Sequence, residues 1–226
     1  MATSISFSDQ IINLVLLGRK GSGKSRTGNT ILGSKEAFKF GYQIENKSYA
    51  IERATRFDRH LSVIDTPGMN NFLPEESVKL RRYISEMADE NVIYLLCIKI
   101  GRFTEQENIL IEQYIRYIGQ DFEKRTIVIF THLDEWISDC QDQGILEPKF
   151  EDFIATLEKN SIGLLEKFDM RYISLNNRKS GNDEIVKQII CMAEELTQQS
   201  SVLRPVTHHQ CELEVESRSI LCCNFM

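Results

Sequence analysis

The chain has 226 residues, of which 42% are hydrophobic and 27% charged. That is the composition of an ordinary folded protein, so a disordered or collagen-like chain is excluded. With 27 Lys+Arg against 33 Asp+Glu the formal charge is -6. No basic face stands out of the kind that displaces counterions from nucleic acid, so no nucleic-acid partner is expected. No apolar run approaches the roughly 18–20 residues that cross a bilayer, and no basic residue precedes Arg19. Synthesis in the cytosol is the expectation, with the six cysteines reduced.

In chain order, Ile11 to Leu17 is a short apolar run that predicts a buried strand ending at Gly18. Lys24 to Leu32 predicts a helix stopped by Gly33. Residues 34–58 are polar, with weak alternation over Ser48 to Phe57 that suits one strand of a hairpin. His60 to Ile64 reads as a second buried strand ending at Asp65. Pro74 to Asp89 reads as a helix with Glu75 and Glu76 in its first turn. Val92 to Ile98 is the next strand. Thr104 then caps a helix to about Ile118, with Glu107 completing a capping box. Ile109, Ile111, Tyr114, Ile115 and Ile118 are assigned to its apolar face. Arg125 to Thr131 is a strand, 135–169 hold one or two helices, Arg171 to Leu175 is a last strand and Asp183 to Gln198 a last helix.

This alternation predicts an α/β fold: a mostly parallel, six-stranded sheet with helices on both faces, over residues 10–200, followed by a tail at 201–226. Ligands of such sheets bind at the carboxyl ends of the strands. Gly18, Asp65, the segment after Ile98, Thr131 and Asn176 are therefore expected along one edge.

The segment Gly18-Arg19-Lys20-Gly21-Ser22-Gly23-Lys24-Ser25-Arg26 contains a complete G-x-x-x-x-G-K-S between a strand and a helix. Its backbone N–H groups wrap phosphate oxygens, and the helix N-terminus adds partial positive charge. Lys24 is assigned to the β- and γ-phosphates and the Ser25 hydroxyl to Mg2+. About forty residues downstream of the phosphate loop, Asp65-Thr66-Pro67-Gly68 reads as a nucleotide switch. Asp65 there holds the Mg2+ water shell and Gly68 offers its N–H to the γ-phosphate. Met69 follows, where rapid GTPases carry a water-orienting Gln. A thioether cannot do that work, so slow hydrolysis is expected.

Thr131-His132-Leu133-Asp134 follows a strand. A carboxylate at Asp134 can accept both N1–H and N2–H2 of guanine. The loop departs from the common N-K-x-D. Asn176 and Asn177, after the last strand, can reach guanine O6, although a plain turn before the final helix accounts for the pair as well. Trp136 is close enough to Asp134 to be expected to report guanine nucleotide by fluorescence.

Together these residues resemble the AIG-type GTPases, also called GIMAP or immunity-associated nucleotide-binding proteins, which are relatives of septins and plastid import GTPases. The resemblance rests on Ser25-Arg26-Thr27-Gly28-Asn29-Thr30-Ile31-Leu32, on the box Gly101-Arg102-Phe103-Thr104-Glu105, on T-H-x-D and on Arg171-Tyr172 leading to Asn176-Asn177. It implies a P-loop GTPase domain that binds GTP and GDP with Mg2+ and forms a homodimer or oligomer in the GTP state. It also implies Arg102 as a candidate finger for the partner's γ-phosphate; a structural or solvated Arg102 is the alternative. A GTP-loaded membrane scaffold with negligible turnover and an ATP-using P-loop enzyme are the competing readings. The threonine or serine of the first switch stays open between Ser48 and Thr55.

The tail carries His208 and His209, read as a solvated pair. It ends Leu221-Cys222-Cys223-Asn224-Phe225-Met226, which fits C-a-a-X with Met last. Lipidation at Cys223, with a second chain on Cys222, would place the protein on a membrane face. Asn224 is not aliphatic, and an unmodified tail is the other reading.

Overall fold

The computed structural model describes residues 10–41, 48–87, 92–101, 103–119 and 121–202. Six strands form one sheet: β1 (Ile12–Leu17), β2 (Ala50–Arg56), β3 (Arg59–Asp65), β4 (Val92–Lys99), β5 (Thr126–Thr131) and β6 (Tyr172–Ser174). Their spatial order is β2-β3-β1-β4-β5-β6. All neighbours are parallel except β2 and β3, which form an antiparallel hairpin pairing Ala50 with Asp65 and Thr55 with His60.

The central strands are apolar on both faces because helices cover both. On one face Leu14, Leu16, Val63, Leu95 and Ile129 meet α1 (Lys24–Leu32) and α7 (Asp183–Val202) through Ile31, Val186, Ile189 and Ala193. On the other face Val15, Leu17, Ile64, Leu96 and Phe130 meet α2 (Pro74–Met87), α3 (Glu105–Ile118), α5 (Phe150–Ala155) and α6 (Lys159–Lys167). A further helix, α4 (Leu133–Asp142), opens directly after β5.

The predicted α1 matches the observed helix at both ends. Its stop is physical: Gly33 adopts φ 69 and its N–H turns back to Asn29 and Thr30 carbonyls. The capping box at Thr104 and Glu107 also forms. The face of α3 differs by one position. Leu110, Ile111, Tyr114 and Ile118 are buried, whereas Ile109 is 45% exposed. The stripe that faces the sheet is set by the i, i+4, i+8 series from Leu110, and Ile109 is rotated off it. Residues 135–169 hold three helices where one or two were expected, because Gln143 to Lys149 and Thr156 to Glu158 interrupt the helical run.

The β2–β3 turn reaches across to the helices. Arg56 donates to the Thr30 and Ile31 carbonyls at 2.8 and 2.9 Å, and pairs with Asp183 at 2.6 Å. Phe57 lies between Arg56 and Lys187, and Arg59 pairs with Glu194. The end of α1 is thereby bound to the start of α7.

Cys97 and Cys140 are buried free thiols and Cys191 is an exposed one. Among the described residues no helix is long and apolar enough to cross a membrane. Cys222, Cys223, His208 and His209 lie outside the described residues, as does Arg102.

Candidate functional site

The carboxyl ends of β1, β3, β4 and β5 open on a common edge, and a cleft of about 1120 Å³ runs along it. Lys20, Gly21, Gly23, Lys24, Ser25 and Arg26 line one part, Thr66 to Met69 another, and His132, Asp134, Asn177 and Arg178 a third. The edge predicted from strand order is therefore the edge observed.

The glycine-loop end of the cleft is built largely from backbone. Gly18 holds φ 137, and a Cβ there would sit 2.4 Å from the Cys97 carbonyl oxygen. No side chain fits so close to a neighbouring strand. Gly68 makes the matching approach from the switch: its Cβ would meet the Lys20 Cα at 2.6 Å. Two stretches of bare backbone thus come together at the cleft, and only glycine permits both.

Lys24 is 6% exposed and donates to the carbonyls of Gly18 and Arg19 at 3.0 and 2.8 Å. Burial pushes its pKa below the ordinary lysine range, opposed by the charge of Asp65. An ammonium has three donors, so two on carbonyls leave one for the cleft. Ser25 Oγ donates to Asp65 Oδ2 at 2.6 Å, and Asp65 is 2% exposed. The two residues assigned to Mg2+ are thus in contact. Thr66 donates to the Leu16 carbonyl at 2.6 Å, tying the switch to β1.

Arg19 and Ser22 face elsewhere. Arg19 pairs with Glu107 at 3.1 Å and reaches Asn70 at 3.4 Å. Ser22 is buried and borders a smaller hollow with Leu96, Glu107 and Leu110. Arg26 stacks over Phe40, 4.3 Å from the ring centroid, at the rim of the cleft. Of the two first-switch candidates, Thr55 lies away from Asp65. It pairs with His60 near the start of β3, at the opposite end of that strand from Asp65. Ser48 precedes β2 at the Asp65 end and is exposed.

Two braces behind the phosphate loop escaped the sequence reading. The Tyr114 hydroxyl accepts the Gly18 N–H at 3.2 Å and is itself fully buried. Glu107, read only as a helix cap, also holds Arg19. Its place three residues past Thr104 was visible; its second partner required the fold.

The Asp134 end of the cleft is built from side chains. Thr131 Oγ1 donates to the Ser22 carbonyl at 2.8 Å, joining the two loops, and lies 2.8 Å from His132 Nδ1. Thr131, fully buried, is therefore a tie between the two loops. His132 turns the chain into α4 with φ 60, a left-handed conformation uncommon for residues other than glycine. Burial, and then the charge of Lys99, push its pKa below the usual histidine value. Asp134, in the first turn of α4, pairs with Arg178 at 3.2 Å. Glu135 pairs with Arg178 and with Lys99, and the Lys99 contact holds its carboxyl below the usual range.

The two asparagines separate. Asn177 borders the cleft, donating to Thr27 Oγ1 at 3.0 Å and accepting from Thr30 Oγ1 at 2.9 Å. Asn176 Oδ1 accepts the N–H groups of Arg178 and Lys179 at 2.9 and 3.1 Å, so its side chain shapes the turn. Trp136 packs edge-on against Phe153, with centroids 6.0 Å apart.

A family model described as the AIG1 family matches residues 12–218. GTPase IMAP family member 8 of Rattus norvegicus is 27% identical over 201 residues, which cover 83% of this chain and 28% of that protein. Immune-associated nucleotide-binding protein 9 of Arabidopsis thaliana is 30% identical over 200 residues, covering 83% of this chain and 56% of that one. The chain thus spans little more than half the length of these relatives, or less. Among solved structures, Toc33 from Arabidopsis thaliana in complex with Mg2+ and GMPPNP superposes with a TM-score of 0.58 at 16% identity, covering 82% of this chain and 85% of that one. The FeoB G-domain from Methanococcus jannaschii gives 0.53 at 17% identity, with coverage of 82% and 99%. These two likenesses bear on the fold, that of a G domain. With the family match spanning most of its length, the chain belongs to the AIG1 family.

Proposed function

We propose that the protein is a guanine-nucleotide switch that binds GTP or GDP with Mg2+, hydrolyses GTP slowly and associates with a second copy in the GTP state. The observation that carries this reading is the pairing, in one cleft, of a buried lysine within a glycine loop at one end with a helix-borne carboxylate at the other. Relatives in the family carry the name GTPase. Toc33 forms complexes with GDP and Mg2+, and dimerisation is important for the GTPase activity of chloroplast translocon components.

On this reading the loop N–H groups from Gly21 to Ser25 wrap the β-phosphate. Lys24 gives its third donor to a β- or γ-oxygen. Ser25 and Asp65 suit Mg2+, being a hydroxyl and a buried carboxylate, both hard oxygen donors, already in contact. Bound there, Mg2+ would neutralise charge shared between the β- and γ-phosphates. Gly68 offers its N–H to the γ-phosphate from the backbone that already touches Lys20. Asp134 accepts the guanine N1–H and N2–H2, with Asn177 beside it and Asn176 shaping the turn that carries both asparagines.

Met69 lines the cleft and packs on the apolar cluster below α2 and α3. It has no hydrogen bond with which to orient water, and slow turnover follows. An arginine supplied by a second copy would replace the missing charge stabilisation, and Arg102 holds that role in this proposal. Met69 equally favours a second reading, a GTP-loaded scaffold with negligible turnover, held on a membrane by lipid at Cys223 and Cys222.

Calorimetric titration with GTP, GDP and ATP tests the base reading; equal affinity for ATP and GTP would sink it. Phosphate release measured across protein concentrations then separates the two functions. A specific rate that climbs with concentration supports the dimer, and a rate near zero throughout leaves the scaffold.

A further inference from the structure

The carboxylate assigned to guanine already has a partner. Arg178 Nη1 lies 3.2 Å from Asp134 Oδ2, and Arg178 Nη2 lies 3.2 Å from Glu135 Oε1. One guanidinium therefore spans two adjacent carboxylates at the rim of the cleft, which Arg178, Asp134 and Glu135 all line. Glu135 is held in place from the other side by Lys99 at the end of β4.

The chemistry of this contact matters. A guanidinium presents planar N–H donors to a carboxylate. The guanine edge presents a planar pair of N–H donors as well, from N1 and N2. The arginine and the base compete for one acceptor with the same kind of donor.

The placement suits an exchangeable competitor. The backbone of Arg178 is fixed, because its N–H donates to Asn176 Oδ1 and Asn182 Nδ2 donates to the Asn176 carbonyl at 2.9 Å. The side chain beyond that fixed point is 56% exposed, whereas that of Asp134 is 23% exposed. A long side chain on a held pivot can leave Asp134 while its second arm stays on Glu135.

We propose that Arg178 is an internal stand-in for guanine: it occupies Asp134 when no base is bound and is exchanged for the base on binding. The inference rests on the guanine reading of the cleft. The arrangement keeps the partly buried carboxylate satisfied in the empty state, and it lowers nucleotide affinity by the fraction of molecules in which Asp134 is occupied. The effect is modest, since a pair with one half-exposed partner is weak in water.

The test is calorimetric titration of the nucleotide-free protein with Mg2+-GDP, for the wild type, Arg178→Ala and Arg178→Gln. Both variants are expected to bind GDP about three- to fivefold more tightly than the wild type at low salt. The gap should close at high salt, which screens the wild-type pair. Thermal melts of the nucleotide-free variants, expected close to the wild type, establish folding. Affinity that is unchanged or weaker in both folded arginine variants overturns the proposal, since Arg178 would then be a bystander or a clamp on the bound base. That outcome leaves the guanine reading intact. Absence of GDP binding by the wild type would instead overturn both.

Discussion

The two ends of the cleft are made of different material. The phosphate end consists of backbone held at close quarters: Gly18 against Cys97, Gly68 against Lys20, and Lys24 sealed against two carbonyls. The base end consists of charged side chains in pairs, Asp134 with Arg178 and Glu135 with both Arg178 and Lys99. Contacts of the first kind are fixed by packing and change little with salt or pH. Those of the second kind are exchangeable, and respond to both. On the proposed function, phosphate recognition would be decided before the ligand arrives, and base recognition by competition for Asp134.

Four changes would break or sharpen this contrast, and the largest falls at the phosphate end. Gly18→Ala adds a Cβ against the Cys97 carbonyl in a left-handed backbone region. It should cost about 2–4 kcal/mol, a fall of roughly 5–15 °C in melting temperature. A midpoint within a degree of the wild type would refute the close-packed account. Next comes Lys24→Ala, which removes a charged donor and should weaken GDP binding by roughly 10–100-fold. Titration calorimetry reads this directly, and a loss below about threefold would contradict it.

Thr131→Val tests the tie between the two ends. It deletes the donor to the Ser22 carbonyl while keeping the shape, and should lower stability by about 1–2 kcal/mol in chemical denaturation. The smallest effect belongs to His132. Its folded pKa lies below its unfolded value of 6.5, through burial and the nearby Lys99, against Glu135 and Asp134. The unfolded chain therefore binds more protons as the pH falls below 6.5, and stability is lost as the pH drops through the lowered folded value. His132→Gln should flatten that part of the stability profile, below about pH 6.5. An unchanged slope would show that other groups carry it.

The same contrast explains what could be read in advance. The phosphate loop, α1 and the Asp65 strand end were legible because each depends on local features: glycines, an apolar run and a helix stop within a few residues. The strand alternation foretold the sheet and the edge that carries the cleft. Boundaries in 135–169 were less legible, since three short helices there share no long apolar period. Ile109 was misplaced because a single residue of helical phase separates it from Leu110, and only the packed sheet selects the phase. Where Thr55 lies relative to Asp65 depends on the hairpin register with His60, which no local pattern gives. Arg178, Tyr114 and the second role of Glu107 depend on partners 43 to 96 residues away. No local pattern marks such pairs.

Arg56 has a mechanical meaning beyond the contacts it makes. It grips the last carbonyls of α1 and the first turn of α7, while the other end of α1 grows directly out of the phosphate loop. The helix is a beam clamped at both ends. A ligand that pushes on the loop cannot be accommodated by sliding α1 along the sheet. The displacement falls instead on cleft-lining residues outside helix and strand, such as Phe40, Gly41, Asn71 and Leu73.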